Sequence, residues 1–296
     1  MNSGETTIMR SAPRLLLRQF WSLIILLKQS PAALVGVVVI LFWIVVALFA
    51  PLIAPFDPLQ QLKPFLGPCA TDGHGHVFLL GTDQLGRDIF SRIVYGSRTV
   101  LIYGVSATAC AYLTGSIAGL LAGYMRGWVD ECLSFVANVI LSFPVILLYI
   151  LIITTIGASG LNIILAVTFA SAPAIMRIVR GLTLDLATRD YVTAAQTRGE
   201  NALWIMFVEI LPNARGPLIV DACLRLGYVA ITIGVLGFLG LGLPPPTPDW
   251  GSMINEARSL AMIFPHMILF PCGAISSLVL GFNLLADGMR ELSLRD

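Results

Sequence analysis

Hydrophobic positions fall in long unbroken blocks along the chain, with polar residues collected between them. No Asp, Glu, Lys or Arg interrupts Ala32–Phe56 (25 residues), Thr99–Met125 (27), Cys132–Met176 (45), Leu226–Pro248 (23) or Ser259–Ala286 (28). A helix needs about 20 apolar residues to cross a bilayer. Each block therefore suffices for one crossing, and the longest for two, with a turn at the glycine-containing stretch Gly157–Asn162. The pattern predicts an all-α membrane bundle of six transmembrane helices.

Composition closes off other classes. Of 296 residues, 57% are hydrophobic and 12% charged, with a mean hydropathy of +0.86, against about 25% charged in soluble domains. So apolar a chain neither stays solvated as disorder nor, at net charge +1, offers nucleic acid a basic face. Orientation follows from the basic residues. With the N-terminus inside, Arg10, Arg14, Arg18, Lys28, Arg126, Arg177, Arg180, Arg189, Arg198, Arg215, Arg290 and Arg295 lie on the inner side. Lys63, Arg87, Arg92, Arg98 and Arg258 lie outside, where Asp83 and Asp88 partly balance the arginines. Both termini are then cytoplasmic.

Arg18 interrupts the apolar stretch Leu15–Leu27, and no small-residue cleavage site precedes the first span. Arg14–Lys28 thus reads as an interfacial helix rather than a signal peptide. The five scattered cysteines form no metal spacing or disulfide framework. In the outer segment, His74-Gly75-His76 reads as an exposed polar turn. Thr82 or Asp83 can cap an amphipathic surface helix with Leu85, Ile89, Ile93 and Val94 on one side, leading into span two.

Span two carries Ala107, Ala111, Gly115, Gly119 and Gly123, a small residue every fourth position, which suits close helix approach within this chain or to another subunit. Pro144 predicts a kink in span three. Asp221 and Arg225, four apart on span five, can pair, and ionisable residues inside a span are candidates for a solute pathway or a structural pair. The proline-rich outer turn Pro244–Pro248 precedes a short helix, Trp250–Arg258. Its apolar face is Trp250, Met253, Ile254 and Ala257, Glu256 turns to water, and the tryptophan serves as an interfacial anchor.

The inner segment Arg177–Arg215 is longer than a plain connection requires. Asp190 can cap a short helix through Thr193-Ala194-Ala195, Gly199 can stop it, and a second helix runs from Asn201 to Ile210 before Pro212. Thr193-Ala194-Ala195, Gly199 and Leu211-Pro212 resemble the EAA loop of binding-protein-dependent ABC importer permeases, with Thr193 where Glu is usual and Glu209 where Ile is usual. Gly81–Arg92, Gly237–Gly242 with Pro244–Gly251, and Phe282–Arg290 are similar to stretches of the C-type permease subunit of dipeptide/oligopeptide/nickel importers.

The resemblance implies a type I importer permease fold and a set of partners: a second permease subunit, one or two cytoplasmic ATPase subunits and an external solute-binding protein. It implies that Thr193, Ala194, Ala195, Gly199, Leu211 and Pro212 couple the chain to an ATPase. ATP and Mg would be used by the ATPases, with no cofactor on this chain. Lys28 and Lys63 are the only lysines and both follow Leu, so no P-loop Gly-Lys exists and the chain is not itself an ATPase.

The organisation expected is a cytoplasmic start (1–31), a first span (32–56), an outer segment (57–98), a five-span permease core (99–290) with its coupling loop at 181–213, and a tail (291–296), all in the bacterial inner membrane. Nickel complexes or other small solutes are alternatives to peptides. A self-sufficient secondary transporter is disfavoured because the two halves show no repeat.

Overall fold

A computed structural model describes residues 30–293 apart from His74. The interfacial helix expected over Arg14–Lys28, His74 and positions 294–296 lie outside the described residues. The hydrophobic blocks become α1 (Pro31–Leu48), α2 (Ile89–Met125), α3 (Gly127–Leu141), α4 (Val145–Ile156), α5 (Gly160–Leu186), α8 (Arg215–Phe238) and α10 (His266–Ser293). At the end of the bundle that the basic residues assign to the inner side, α6 (Asp190–Thr197) and α7 (Ala202–Asn213) separate α5 from α8, and at the opposite end, called outer on the same ground, α9 (Trp250–Ala257) precedes α10. Among the described residues, five helices are long and apolar enough to cross a membrane, and six if α3 and α4, bent by 87° at the break between them, count as one span.

That break corrects the expected kink. Ser142 closes α3, Phe143 lies between the two helices, and Pro144 stands at the start of α4. The proline has no N–H with which to continue the α3 ladder, and its ring opposes helical geometry in the residue before it. The chain therefore turns a corner there.

The α2–α5 pair is the most extensive in the molecule, followed by α1–α10 and α8–α10. The small-residue stripe of α2 faces α5 of the same chain. A Cβ placed on Gly115 would stand 2.7 Å from the Ala172 carbonyl oxygen, and one on Gly119 or Gly123 would meet the Cβ of Val179 or Thr183 at 2.6 and 2.7 Å. Of the two readings of the stripe, internal packing is the one realised. In lipid, where apolar surface alone does not drive association, such backbone approach holds helices together by dispersion.

The outer end differs from expectation in three ways. First, α2 starts at Ile89, capped by Asp88, whose Oδ2 accepts the Ser91 N–H at 2.8 Å. Thr82 and Asp83 therefore do not cap it, and the exposed Leu85 precedes the helix. The surface helix and the span are one element, because Ile89, Ile93 and Val94 pack inward and leave no reason for a turn. Burial raises the Asp88 carboxyl above its ordinary range, against the lowering pull of its Ser91 hydrogen bonds.

Second, the Asp that balances the arginines is Asp83 alone, together with Glu256. Arg87 Nε and Arg92 Nη1 reach Asp83 Oδ2 at 2.7 and 2.5 Å, and the same two arginines reach Glu256 Oε2 at 2.5 and 2.9 Å. Glu256 therefore turns to the ion cluster, with 27% of its side chain left exposed. Two acids and two bases share the site, so its net charge is zero, and each ion is held by more than one partner.

Third, Trp250 does not anchor at the lipid interface. It is fully buried, donates Nε1–H to the Ile93 carbonyl at 2.9 Å and meets Trp43 edge-on at 4.9 Å. Asp249 caps α9 by accepting the Ser252 N–H at 3.0 Å. Burial raises its carboxyl to about 6, opposed by those backbone N–H groups and by Arg92. Further out, the antiparallel pair β1 (Ala70–Thr71) and β2 (Val77–Phe78) encloses His76, whose Nδ1 lies 2.6 Å from Asp72.

Candidate functional site

The inner protrusion is built by local rules. Arg189, not Asp190, stands at the N-cap of α6, and Asp190 is its first residue, where a carboxylate still favours the helix dipole. Val192 and Ala195 are fully buried, while Thr193, Ala194, Gln196 and Thr197 face outward. Gly199 follows at φ +78°, a conformation that costs a side-chain-bearing residue about 1–2 kcal/mol. The chain then reverses, and the Asn201 side chain caps α7 by accepting the Trp204 N–H at 2.7 Å.

α7 runs further than the sequence suggested. Ile205–Ile210 is wound as a π-helix, and the Leu211 N–H reaches back to the Met206 carbonyl, so the helical path continues through Pro212 to Asn213. The wide turn places the proline, which has no N–H to donate, without breaking the helix. α5 also runs on to Leu186, so positions 181–186 of the expected coupling loop belong to the span helix.

Val192 and Ala195 join Ile205, Met206 and Ile210 in one buried cluster with Leu120 of α2, Ile175 and Val179 of α5, and Leu218 of α8, and Leu211 packs against it half-buried. Of the six residues expected to couple to an ATPase, Ala195 and Leu211 thus anchor the protrusion, while Thr193, Ala194, Gly199 and Pro212 are exposed. Glu209 has a partner within the chain: Arg198 Nη2 lies 3.4 Å from its Oε1 and 2.8 Å from that of Glu200, closing α6 onto α7. Burial pushes the Tyr191 phenol above its ordinary range.

The pair on α8 forms as spaced. Arg225 Nε donates to Asp221 Oδ2 at 2.6 Å, and the Tyr112 hydroxyl of α2 donates to the same oxygen. Arg225 also lines a cavity of about 360 Å³ among α2, α3, α4, α5 and α8, shared with Thr108, Tyr149, Ser171, Tyr228 and Thr232. Sequence reasoning placed Asp221 and Arg225 together but had no access to Tyr112, Thr108 or Tyr149. These sit in charge-free blocks and reach the site only by helix packing.

Residues 115–293 match the family described as binding-protein-dependent transport system inner membrane component. Residues 16–68 match the N-terminal TM domain of oligopeptide transport permease C. The chain is 37% identical over 284 residues, 95% of each protein, to the dipeptide transport system permease protein DppC of Haemophilus influenzae. It is 40% identical over 274 residues, 93% of this chain and 89% of the other, to the glutathione transport system permease protein GsiD of Pectobacterium atrosepticum. Among solved structures, a chain from inward-facing conformations of the MetNI methionine ABC transporter superposes with a TM-score of 0.58 at 18% identity, over 70% of this chain and 98% of that one.

Proposed function

The chain belongs to the family of binding-protein-dependent transport system inner membrane components, and from that premise we propose that it carries di- or oligopeptides into the cytoplasm as one of two permease subunits. It is a multi-pass membrane subunit of an ABC importer and not itself an enzyme. The observation that carries the substrate reading is likeness over nearly the whole chain to permeases of dipeptide and glutathione systems.

An external binding protein delivers the solute, a second permease completes the pathway, and cytoplasmic ATPase subunits use ATP and Mg. The chain sits in the bacterial inner membrane with both termini inside, divided as the hydrophobic blocks suggest: a cytoplasmic start over 1–31, the first span over 32–56, the outer segment over 57–98, the core over 99–290 and a tail over 291–296. Thr193, Ala194, Gly199 and Pro212 meet an ATPase on the exposed face of the protrusion, while Ala195 and Leu211 seat it. The Asp221–Arg225 pair stands at the solute pathway, with Arg225 on the cavity and Asp221 holding it from behind. The buried cluster beneath Val192 and Ala195 supports this reading, since it ties the protrusion to α2, α5 and α8 together.

Affinity purification of the tagged chain from mild-detergent membranes tests the proposal. The expected result is recovery of a second permease and P-loop ATPases, with ATP-dependent uptake of labelled dipeptide once the binding protein is added. Recovery of this chain alone, moving solute in vesicles without ATP, would sink it.

A further inference from the structure

The cavity beside Arg225 has features that a helix bundle does not need for packing. Six of its lining residues bear polar groups: Thr108, Tyr149, Ser171, Arg225, Tyr228 and Thr232. Thr108 is 5% exposed, and its hydroxyl has no hydrogen-bond partner, although buried hydroxyls are ordinarily paired. Tyr149, Ser171 and Thr232 line the same cavity from α4, α5 and α8. Tyr228 is 66% exposed, which leaves the cavity open on its side.

Arg225 is the one charged residue lining this cavity. Asp221 does not line it, and with Tyr112 stands at the root of the guanidinium, where it takes the Nε–H. Nε–H is one of five guanidinium donors. Asp221 therefore orients Arg225 without filling its hydrogen-bonding capacity. The volume of about 360 Å³ lies within the range of small-molecule sites, roughly 300–1,000 Å³.

We infer that this cavity is an anion subsite that takes the carboxylate end of the transported solute on Arg225, with the Thr108, Tyr149 and Ser171 hydroxyls completing its hydrogen bonds. A guanidinium matches a carboxylate with two parallel N–H donors, and a low-dielectric wall strengthens that pairing. Asp221 acts as a positioning residue. The inference rests on reading the chain as a solute permease and deepens it, because it specifies which end of the solute the spans grip.

The test needs a readout separate from uptake. In the assembled transporter in nanodiscs, replacing the five native cysteines (Cys69, Cys110, Cys132, Cys223 and Cys272) by Ala and introducing Thr108→Cys presents one thiol to the cavity. An anionic methanethiosulfonate should modify it at least about ten-fold faster than a cationic one, the scale on which a charged cleft concentrates ions. The preference should vanish in the Asp221→Asn, Arg225→Gln double variant, which leaves no lone buried charge, and persist in Arg225→Lys. Dialanine should slow the anionic reagent, and dialanine amide should not.

No modification of the thiol, equal rates for the two reagents, or an unchanged ratio in the double variant would each overturn the subsite. If dialanine uptake survives one of those results, the peptide reading stands while the subsite falls. If the charge preference holds but dialanine neither protects nor enters, the anion subsite stands and its assignment to a peptide carboxylate falls.

Discussion

The two ends of the bundle hold charge in opposite ways. At the outer end Asp83, Arg87 and Arg92 lie buried and share the 27%-exposed Glu256 in one cluster that ties the start of α2 to α9, backed by Trp250 on Ile93 and by Thr99 Oγ1 donating to the Pro248 carbonyl at 2.9 Å. At the inner end Arg198, Glu200 and Glu209 make a comparable ionic set at the surface, with the Arg198 side chain 56% exposed. Burial makes the same chemistry rigid in one place and dispensable in the other. The outer hairpin is built as a fixed part of the permease. The inner protrusion is held from beneath by aliphatic packing and leaves its polar face free for a partner.

The sharpest break of this contrast is Arg92→Met. It removes one cation from a buried network and leaves an uncompensated carboxylate, so it should destabilise the chain by about 3–5 kcal/mol. The half-life of the assembled transporter at fixed temperature in detergent measures it, and a loss under 1 kcal/mol would show the cluster to be hydrated.

Next in size is Asp249→Asn. The folded protein holds the Asp249 carboxyl at about 6, above its ordinary 3.8. Its contribution is therefore greatest below pH 4 and is lost as pH rises through 6. The Asn variant should match the parent at pH 4 and exceed it at pH 7.5 by up to about 3 kcal/mol, read as thermal midpoints across that range.

At the inner end, Gly199→Val should cost only about 1–2 kcal/mol, because the strain is confined to one left-handed residue. Co-purification should nevertheless lose the ATPase subunits while the permease pair survives. The smallest effect belongs to Arg198→Ala, expected to shift stability by under about 1 kcal/mol. A shift as large as that of Arg92→Met would erase the comparison.

Much of this was legible because it rests on one-dimensional rules. Charge-free blocks become spans since lipid admits little else, the spacing of Asp221 and Arg225 fixes their pairing on one helix, and Gly199 occupies the left-handed turn that glycine serves. The small-residue stripe on α2 foretold a close neighbour without saying which, as a repeat on one helix carries no address for the other. What stayed hidden depends on distant segments meeting. Glu256 read as solvent-facing because its partners are 164 and 169 residues away in sequence, and Trp250 read as a lipid anchor because Ile93 and Trp43 are equally remote. Thr82 and Asp83 looked like helix caps by type, yet Asp88 holds that role. Residue type marks where a cap can be, and only the packing of Ile89 fixes where it is.

The seam between α2 and α5 has a mechanical consequence. With glycines laid against the opposing backbone along the most extensive helix pair in the molecule, α2 and α5 form one long strut. At 37 residues and about 1.5 Å per residue, α2 is roughly 55 Å long, and a tilt of about 5° carries its far end about 5 Å. α5 ends at Leu186 and α6 begins at Asp190, so a push on the protrusion is applied almost at the foot of that strut. Its head is bolted to the outer hairpin, and the hairpin therefore moves with it as a lever moves its load.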